Sequence, residues 1–211
     1  MNIQNGRQNG RKGKRADATR TALIEAAERL IAEKGLADVS TREILQEAGQ
    51  RNQSALQYHF GSKKGLIGAT ISERTTQLDQ ARIKMLDAIG DDPSLRQLFE
   101  VLIMPLGELM KSKAAGANYL NFLSQAITQP NWELDRVIEE YNIVGMVRTY
   151  DHLDRQLAHL SDKDKISRKY IMFDFTILAL KRWAMDSKAH RSLEDTLQFV
   201  IDGCMALAKL D

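Results

Sequence analysis

The capping and turn residues between positions 40 and 69 constrain the fold of this chain more than any other feature. Ser40 and Glu43 have the spacing of a capping box, in which each side chain accepts a hydrogen bond from the other residue's backbone N–H at the start of a helix. Gly49 permits the left-handed turn that ends such a helix, and Asn52 is a favourable N-cap for the next one. The pattern therefore predicts two short helices joined by a tight turn, at residues 41–48 and 53–59.

Two short helices in this order are typical of a helix-turn-helix unit, whose second helix can enter the DNA major groove. A longer helix is predicted before them, over residues 19–34, where apolar residues recur at helical spacing and Gly35 marks the end. Ser62 can cap a fourth helix that continues to about Ile89. The pattern thus predicts a three-helix head followed by a connecting helix.

Composition favours helix through the rest of the chain. Only 3 of the 211 residues are proline, and long stretches are rich in Ala, Leu, Glu, Gln, Lys and Arg. We expect an all-α fold with an N-terminal three-helix head and a larger C-terminal helical body. The predicted divisions are a disordered basic tail at 1–17, the head at 18–65 and the body at 66–211. Five helices are predicted in the body, at 94–111, 117–128, 131–160, 163–187 and 192–210.

The distribution of charge along the chain indicates what the head binds. Residues 1–75 carry 13 Lys/Arg and 8 Asp/Glu, whereas residues 76–211 carry 17 and 20. A basic head on an acidic body suits the binding of a polyanion such as DNA. The basic tail either tracks phosphates or has no role, and the sequence favours neither alternative.

The apolar runs and the cysteine content of the sequence indicate where the protein acts. No apolar run reaches the ~20 residues that a membrane span needs, and the N-terminal stretch lacks the apolar core of a signal peptide. The single cysteine, Cys204, leaves no internal disulfide and is interpreted as a small core residue. We therefore expect a cytoplasmic protein with no membrane partner.

The second short helix carries side chains that can read DNA. Gln53 and Gln57 lie four residues apart on one helix face, and a glutamine amide can pair with adenine through two hydrogen bonds. Ser54 lies beside them, and Ala55 can contact a thymine methyl group. The alternative interpretation of these residues is an ordinary polar helix surface.

Three side chains after this face are suited to contact the DNA backbone. Tyr58, His59 and Lys63 can reach phosphates, which position a protein on DNA without reading its sequence. A cation in the first turn of a helix opposes the helix dipole, and a neighbouring phosphate would offset that cost for Lys63. For Tyr58 and His59 the alternative is packing at a corner between helices.

Three motifs within residues 18–70 resemble the TetR family of transcriptional regulators: TRTALIEAAERLIAEKG, STREILQEAG and YHFGSKKGLI. The resemblance implies an all-helical homodimer with a DNA-binding head and a ligand-binding body. It implies a phosphate contact for Thr41 and a base or phosphate contact for Arg42. It also implies base contacts for Gln53, Ser54, Ala55 and Gln57, and backbone contacts for Tyr58, His59 and Lys63.

Two features depart from the commonest pattern of that family. The segment between Gly49 and Phe60 is one residue longer, which would shift the start of the recognition helix. Position 57 is Gln where Tyr is frequent, so one phosphate contact is exchanged for a potential adenine reader.

The body carries bulky residues that can line an effector pocket, because such pockets are mostly apolar. These candidates are Phe99, Met104, Phe122, Trp132, Tyr141 and Met146. The last two predicted helices are the natural dimer seam, since two helices from each subunit form a four-helix bundle. The seam candidates are Phe175, Trp183, Leu197, Val200 and Ile201. For each residue in both sets, a place in the ordinary core is the alternative.

Together these features predict a homodimeric, sequence-specific transcriptional regulator that binds double-stranded DNA. One recognition helix covers only a few base pairs, so two half-sites of a palindromic operator are expected. The favoured mode is a repressor that an unknown small-molecule effector releases. The alternatives are an activator, or a small-molecule-binding helical protein whose head does not bind DNA. No catalytic residue, metal site or cofactor is predicted, because the chain lacks the G-x-S-x-G and phosphate-loop patterns; a small helical enzyme ranks behind both alternatives.

Overall fold

The computed structural model describes residues 4–128, 133–186 and 191–210. Every regular element in these ranges is an α-helix, which confirms the predicted fold class. None of these helices combines the length and the apolar character that crossing a membrane requires. In chain order they are α1 (Gln4–Lys34), α2 (Thr41–Glu47), α3 (Ala55–Phe60), α4 (Lys63–Ile89), α5 (Leu95–Lys111), α6 (Lys113–Ile127), α7 (Leu134–Glu140), α8 (Val144–Gln156), α9 (Asp162–Met185) and α10 (Leu193–Ala208).

Helix α1 begins at Gln4, whereas the sequence predicted a disordered tail at 1–17 and a helix start near Thr19. The structure therefore differs from the prediction over residues 4–17. Lys, Arg and Gln have good helix propensity, and extending a nucleated helix adds about one hydrogen bond for each residue that is fixed. The packed part of α1 can thus continue outward without an apolar face.

The head belongs to a compact unit of residues 1–73, whose core is formed by the apolar faces of α1, α2 and α3. Ile44 of α2 and Leu56 of α3 are at most 3% exposed. The predicted inner face of the first helix is confirmed, because all five of its members are buried: Leu23, Ala26, Ala27, Leu30 and Ile31. Helix α4 begins in this unit, and the division between the units falls within α4, after the predicted boundary at residue 65.

The second unit, residues 74–211, contains the body helices. Helix α6 packs on α9, α10 packs on both α5 and α9, and α8 packs on α5. Large aromatic side chains fill this core, since Phe99 of α5 and both Tyr119 and Phe122 of α6 are 1% exposed. Serine side chains cap three of the body helices, because Ser94, Ser161 and Ser192 each accept a backbone N–H from the residue three positions later.

The predicted long helix at 131–160 is wrong, because α7 ends at Glu140 and α8 begins at Val144. Asn142, between the two helices, has a φ of 48°, which a continuous helix does not allow. The new helix start is satisfied from α4: the carboxylate oxygens of Asp79 accept hydrogen bonds from the backbone N–H groups of Gly145 (2.8 Å) and Met146 (2.9 Å). A cap supplied by a distant helix leaves no periodic signal in the sequence.

Gly145→Ala tests how tightly α8 is held against α4. A Cβ at this position would lie 2.8 Å from Asp79 Oδ1, 2.9 Å from the Asp79 carbonyl oxygen and 3.0 Å from Arg82 Cβ. We expect the variant to lower the free energy of unfolding by about 1–3 kcal/mol, the usual cost of overpacking, despite the better helix propensity of alanine.

Gly107→Ala is the matched control, because its Cβ would meet only the side-chain end of Leu197, which can move. Urea unfolding followed by circular dichroism compares the two variants. A loss for Gly145→Ala no larger than that for Gly107→Ala would show that the contact between α8 and α4 is not tight.

Candidate nucleic-acid interface

The start of α2 is fixed by the predicted capping box. Ser40 Oγ accepts the Glu43 backbone N–H (3.2 Å), and Glu43 Oε2 accepts the Ser40 backbone N–H (2.9 Å). The same carboxylate accepts a hydrogen bond from Lys34 Nζ at 2.7 Å. The bond from Lys34, followed by those from Ser40, lowers the pKa of Glu43 to about 2. Glu43 is therefore ionised at neutral pH and ties the end of α1 to the start of α2.

The turn between α3 and α4 explains the residues of the motif YHFGSKKG. Gly61 has a φ of 70°, a conformation that glycine adopts without steric cost. Ser62 Oγ accepts the Gly65 backbone N–H at 3.0 Å, which confirms the predicted cap of the fourth helix. A Cβ at Gly65 would lie 2.1 Å from the Phe60 carbonyl oxygen, so no larger residue fits there. The turn thereby fixes the direction of the start of α4 relative to α3.

Most of the predicted base-reading side chains lie on the surface. Gln53, Ser54 and Gln57 are exposed, as is Arg42 on α2. Helix α3 begins at Ala55, so Gln53 precedes the helix and is not one turn from Gln57 on a continuous face. Instead of capping the helix, Asn52 accepts the Ser54 backbone N–H with its side-chain oxygen (2.9 Å) and forms part of the turn.

Ala55 does not have the predicted role. Its residue is 8% exposed and lies on the buried side of α3 with Leu56, so its methyl group is not available to a thymine. The helical repeat is the physical reason, because a separation of two residues puts Ala55 on the opposite side of α3 from the exposed Gln57. Phe60, the last residue of α3, is half-buried, and the Arg20 guanidinium lies 5.6 Å from the centre of its ring.

Lys63 is engaged within the head. Its ammonium donates hydrogen bonds to the backbone carbonyls of Leu36 (2.8 Å) and Val39, which lie in the loop before α2. The structure thus gives this half-buried cation a structural role where a phosphate contact was predicted. Two carbonyl dipoles offset its unfavourable place in the first turn of α4. The neighbouring Lys64 is exposed.

The remaining predicted backbone contacts lie where DNA can approach. Tyr58 is 80% exposed, and His59 is half-buried beside it, with the two rings edge to face at 4.9 Å between centres. Thr41, the first residue of α2, is half-buried. Tyr58 is therefore available to a partner, whereas a tyrosine packed at a corner between helices would be buried.

The structure adds residues that the sequence reasoning missed. A groove runs along the exposed side of α2 and the turn, and no acidic residue lines it; its walls are Arg42, Leu45, Gln46, Gly49, Gln50, Arg51 and Gln53. Arg42 and Gln46 lie four apart on α2 and share a face, a spacing that could have identified Gln46. Arg51 lies in the turn, where periodicity gives no signal.

The predicted effector residues are only partly brought together. Phe99 and Met146 line a cavity inside the body, formed by side chains of α4, α5, α8, α9 and α10. Met104 lines a separate surface groove, and neither Phe122 nor Tyr141 is part of the cavity wall. Phe122 is 1% exposed and lies in the core of the body. Trp132 lies outside the described residues.

The predicted seam residues divide into core and surface. Leu197, Val200 and Ile201 are at most 4% exposed and belong to the core of the body, so their assignment to a dimer surface is wrong. Both faces of α10 carry apolar residues, and this three-residue set lies on the face that packs on α5 and α9. Phe175 and Trp183 are half-buried on α9.

A capped helix, a tight turn and a short second helix with exposed amides form a helix-turn-helix unit, the class of DNA-binding head that the sequence predicted. Residues 23–70 match the family model described as "Bacterial regulatory proteins, tetR family". The chain is also 30% identical over 111 residues to the HTH-type transcriptional regulator BetI of Klebsiella pneumoniae (strain 342). That alignment covers 53% of this chain and 56% of the relative, so the chain spans little more than half of the relative's length.

Solved structures agree with this relationship at the level of the fold. A putative TetR-family regulator from Shewanella sp. PV-4 has a TM-score of 0.64 at 16% identity, covering 90% of this chain and 95% of that one. NalD of Pseudomonas aeruginosa has a TM-score of 0.57 at 19% identity, covering 90% and 96%. The chain is thus similar to the TetR family of transcriptional regulators in its head, at residues 23–70, and in its overall fold.

Lys63→Met and Lys64→Met separate a structural lysine from a surface one. Removing the Lys63 ammonium leaves two loop carbonyls without their donor, so we expect the free energy of unfolding to fall by about 1–3 kcal/mol. Lys64→Met should change it by less than about 0.5 kcal/mol, as is usual for exposed positions. Denaturant unfolding measures both variants, and equal losses would contradict the structural role of Lys63.

Proposed function

We propose that this protein is a dimeric, sequence-specific DNA-binding regulator that acts in the cytoplasm as a repressor and is released from its operator by a small-molecule effector. The observation that carries the proposal is the exposed surface of the head, where Arg42 lies on α2, Gln57 lies on α3 and Gln53 lies in the turn between them. The start of α2 and the turn are fixed by hydrogen bonds. Rigid presentation matters because a base contact requires a defined donor and acceptor geometry.

The exposed residues divide into two kinds of DNA contact. The amides of Gln57 and Gln53 and the guanidinium groups of Arg42 and Arg51 can each form paired hydrogen bonds with base edges. The Tyr58 hydroxyl and the side chains of His59, Thr41 and Lys64 supply groups that can contact phosphates. The absence of acidic side chains from the wall of the α2 groove supports this use of the surface.

Repression is proposed from the relatives. NalD is described as the secondary repressor of the MexAB-OprM multidrug efflux pump, and BetI as a transcriptional regulator. Release by an effector requires that the liganded protein bind its operator more weakly, by a coupling free energy of typically about 1–3 kcal/mol. The cavity inside the body supports release by an effector. Arg82 of α4 lies in the cavity wall, and α4 begins at Lys63, just after the recognition helix α3.

A second protomer is proposed because one short recognition helix reads too few base pairs for a specific site. Helix α9 carries a surface stripe in which Ile171, Leu178 and Met185 repeat every seven residues and are 52%, 47% and 61% exposed. Phe199 is also 53% exposed, on α10, which packs on α9. A repeat of seven is the spacing at which helices pack along a common seam, so this stripe replaces the buried residues first assigned to the interface.

Selection of duplexes bound by the purified protein from random DNA tests the DNA-binding role. We expect a palindromic consensus whose affinity falls steeply with salt concentration. Gln57→Ala should relax the preference at one base pair in each half-site, at a cost of about 1–3 kcal/mol for the preferred base. The matched control is Gln80→Ala, an exposed glutamine of α4 in the body unit, which should leave the consensus unchanged.

Failure to enrich any sequence would favour the alternative, a small-molecule-binding protein whose head does not bind DNA. An unchanged consensus for Gln57→Ala would show that another side chain reads that position.

Leu178→Glu tests the proposed dimer surface, because an acidic side chain in an apolar seam is desolvated without a partner. We expect the variant to be monomeric by analytical ultracentrifugation and to bind the operator at least tenfold more weakly. Val147→Glu on α8 is the control, since Val147 has a similar exposure of 43% and lies outside the stripe. A Leu178→Glu protein that remains dimeric would place the seam elsewhere.

A further inference from the structure

The cavity of the body has an apolar wall that is interrupted by a few polar groups. It has a volume of about 40 Å³, and its apolar lining comes from α5, α8 and α9. Its polar side chains are Arg82, Tyr150, Lys169, Thr176 and Cys204. Two of these are cations, and no Asp or Glu is part of the lining.

Arg82 is the unusual member of this wall. The residue is 4% exposed, and its buried Nε has no hydrogen-bond acceptor. Its Nη2 donates one long hydrogen bond to the Leu102 carbonyl, at 3.3 Å. Burial lowers the pKa of Arg82, while the negative charge of Asp79 acts in the opposite direction. A buried guanidinium with an open Nε edge is costly unless an acceptor occupies that edge.

Two carboxylates on the helices that line the cavity already accept hydrogen bonds from other groups. Asp79 lies one turn before Arg82 on α4, and its two oxygens accept the N–H groups that begin α8. Asp154 accepts a hydrogen bond from Lys169 Nζ at 2.6 Å through Oδ2. Its Oδ1 is buried without a hydrogen-bond partner, but Asp154 is not part of the cavity wall. The protein itself therefore supplies no acceptor for the Nε of Arg82, a residue of the cavity wall.

Tyr150 and Lys169 are two further polar residues of the cavity wall. The Lys169 ammonium lies 5.2 Å from the centre of the Tyr150 ring. Burial is the largest influence on Tyr150 and raises the pKa of its phenol, so the hydroxyl is neutral and can donate a hydrogen bond. Thr176 is not available in this way, because its hydroxyl already donates to the Met172 carbonyl at 2.8 Å.

We propose that the effector is a small apolar carboxylic acid, bound as its anion with the carboxylate on the Nε edge of Arg82. The Nε–H and the adjacent Nη–H of a guanidinium lie side by side and match the two oxygens of a carboxylate. The apolar part of the acid lies against Phe99, Ile103 and Ile177. This inference rests on the proposed function for the existence of an effector, and it adds the chemical class of that effector.

The size of the cavity indicates how binding affects the body. Ligand pockets usually have volumes of about 300–1,000 Å³, so this cavity must widen to accept an organic acid. Met146 and Met172 in its wall are flexible and can change rotamer. Because Arg82 and the Asp79 cap of α8 occupy the same turn of α4, a ligand on Arg82 acts on the segment that holds α8.

The test compares acids with their uncharged amides on the full-length protein. The probes are benzoate, phenylacetate, 3-methylbutanoate and hexanoate, each paired with the amide of the same carbon skeleton. Isothermal titration calorimetry and thermal shift are measured at neutral pH and constant ionic strength. We expect at least one acid to bind, and its amide to bind at least tenfold more weakly, because the amide cannot form the charged pair.

Two variants assign the selectivity to Arg82. Arg82→Met keeps a similar chain length without the guanidinium and should weaken the binding of the acid at least tenfold. Lys84→Met removes an exposed cation two residues along the same helix and should leave the affinity unchanged. If Arg82→Met fails to fold by circular dichroism, the comparison of acid with amide on the unaltered protein still decides the question.

Three outcomes overturn the inference: none of the acids binds, the amides bind as well as the acids, or Arg82→Met binds the acids with unchanged affinity. Operator binding, measured on the same samples without acid, separates this inference from the proposed function. Operator binding without selective acid binding removes only the inference. Selective acid binding by a protein that enriches no DNA sequence removes the proposed function and leaves the ligand class in place.

Discussion

The ends of the helices set the main constraint on this structure. Each α-helix leaves four N–H groups and four carbonyls without partners inside the helix, and those that are buried must find partners elsewhere. In a fold made of many helices, some of them only six or seven residues long, these groups are a large share of the backbone. Charged side chains satisfy several such backbone groups: Glu43 at the start of α2 and Asp79 at the start of α8. Lys63 does the same for two carbonyls in the loop before α2.

These three groups differ in how far away their partners lie, and this distance decides what could be predicted. The Glu43 cap is local, since Ser40 is three residues away, and the sequence predicted both the cap and the helix it begins. Lys63 reaches a carbonyl 27 residues earlier in the chain, and Asp79 reaches an N–H group 66 residues later. No local pattern records such pairs. The sequence therefore predicted a continuous helix at 131–160, and a phosphate contact for Lys63.

Helical periodicity also could not predict which apolar face of a helix is buried and which is exposed. Helices α9 and α10 carry apolar residues on more than one face, so the spacing identifies them as helices without saying which face is buried. Leu197, Val200 and Ile201 have ideal helical spacing and lie in the core, whereas Ile171, Leu178 and Met185 have equally regular spacing and lie on the surface. Only packing against α5 distinguishes the two faces of α10. In the head, by contrast, α1 has one apolar face, and its prediction was confirmed.

Arg82 joins the constraint at helix ends to the proposed recognition of a ligand. A buried cation without a full set of acceptors lowers the stability of the protein that has no ligand, because desolvation is not repaid by hydrogen bonds. The same deficit raises the affinity for an anion, since binding restores the missing acceptor. Asp79 could have supplied it, but its two oxygens are committed to the start of α8. One turn of α4 thus contains Asp79, whose charge is satisfied and holds the start of α8, and Arg82, whose charge is unsatisfied and lies in the cavity wall. A ligand that supplies the acceptor for Arg82 must therefore act on the helix that also carries Asp79.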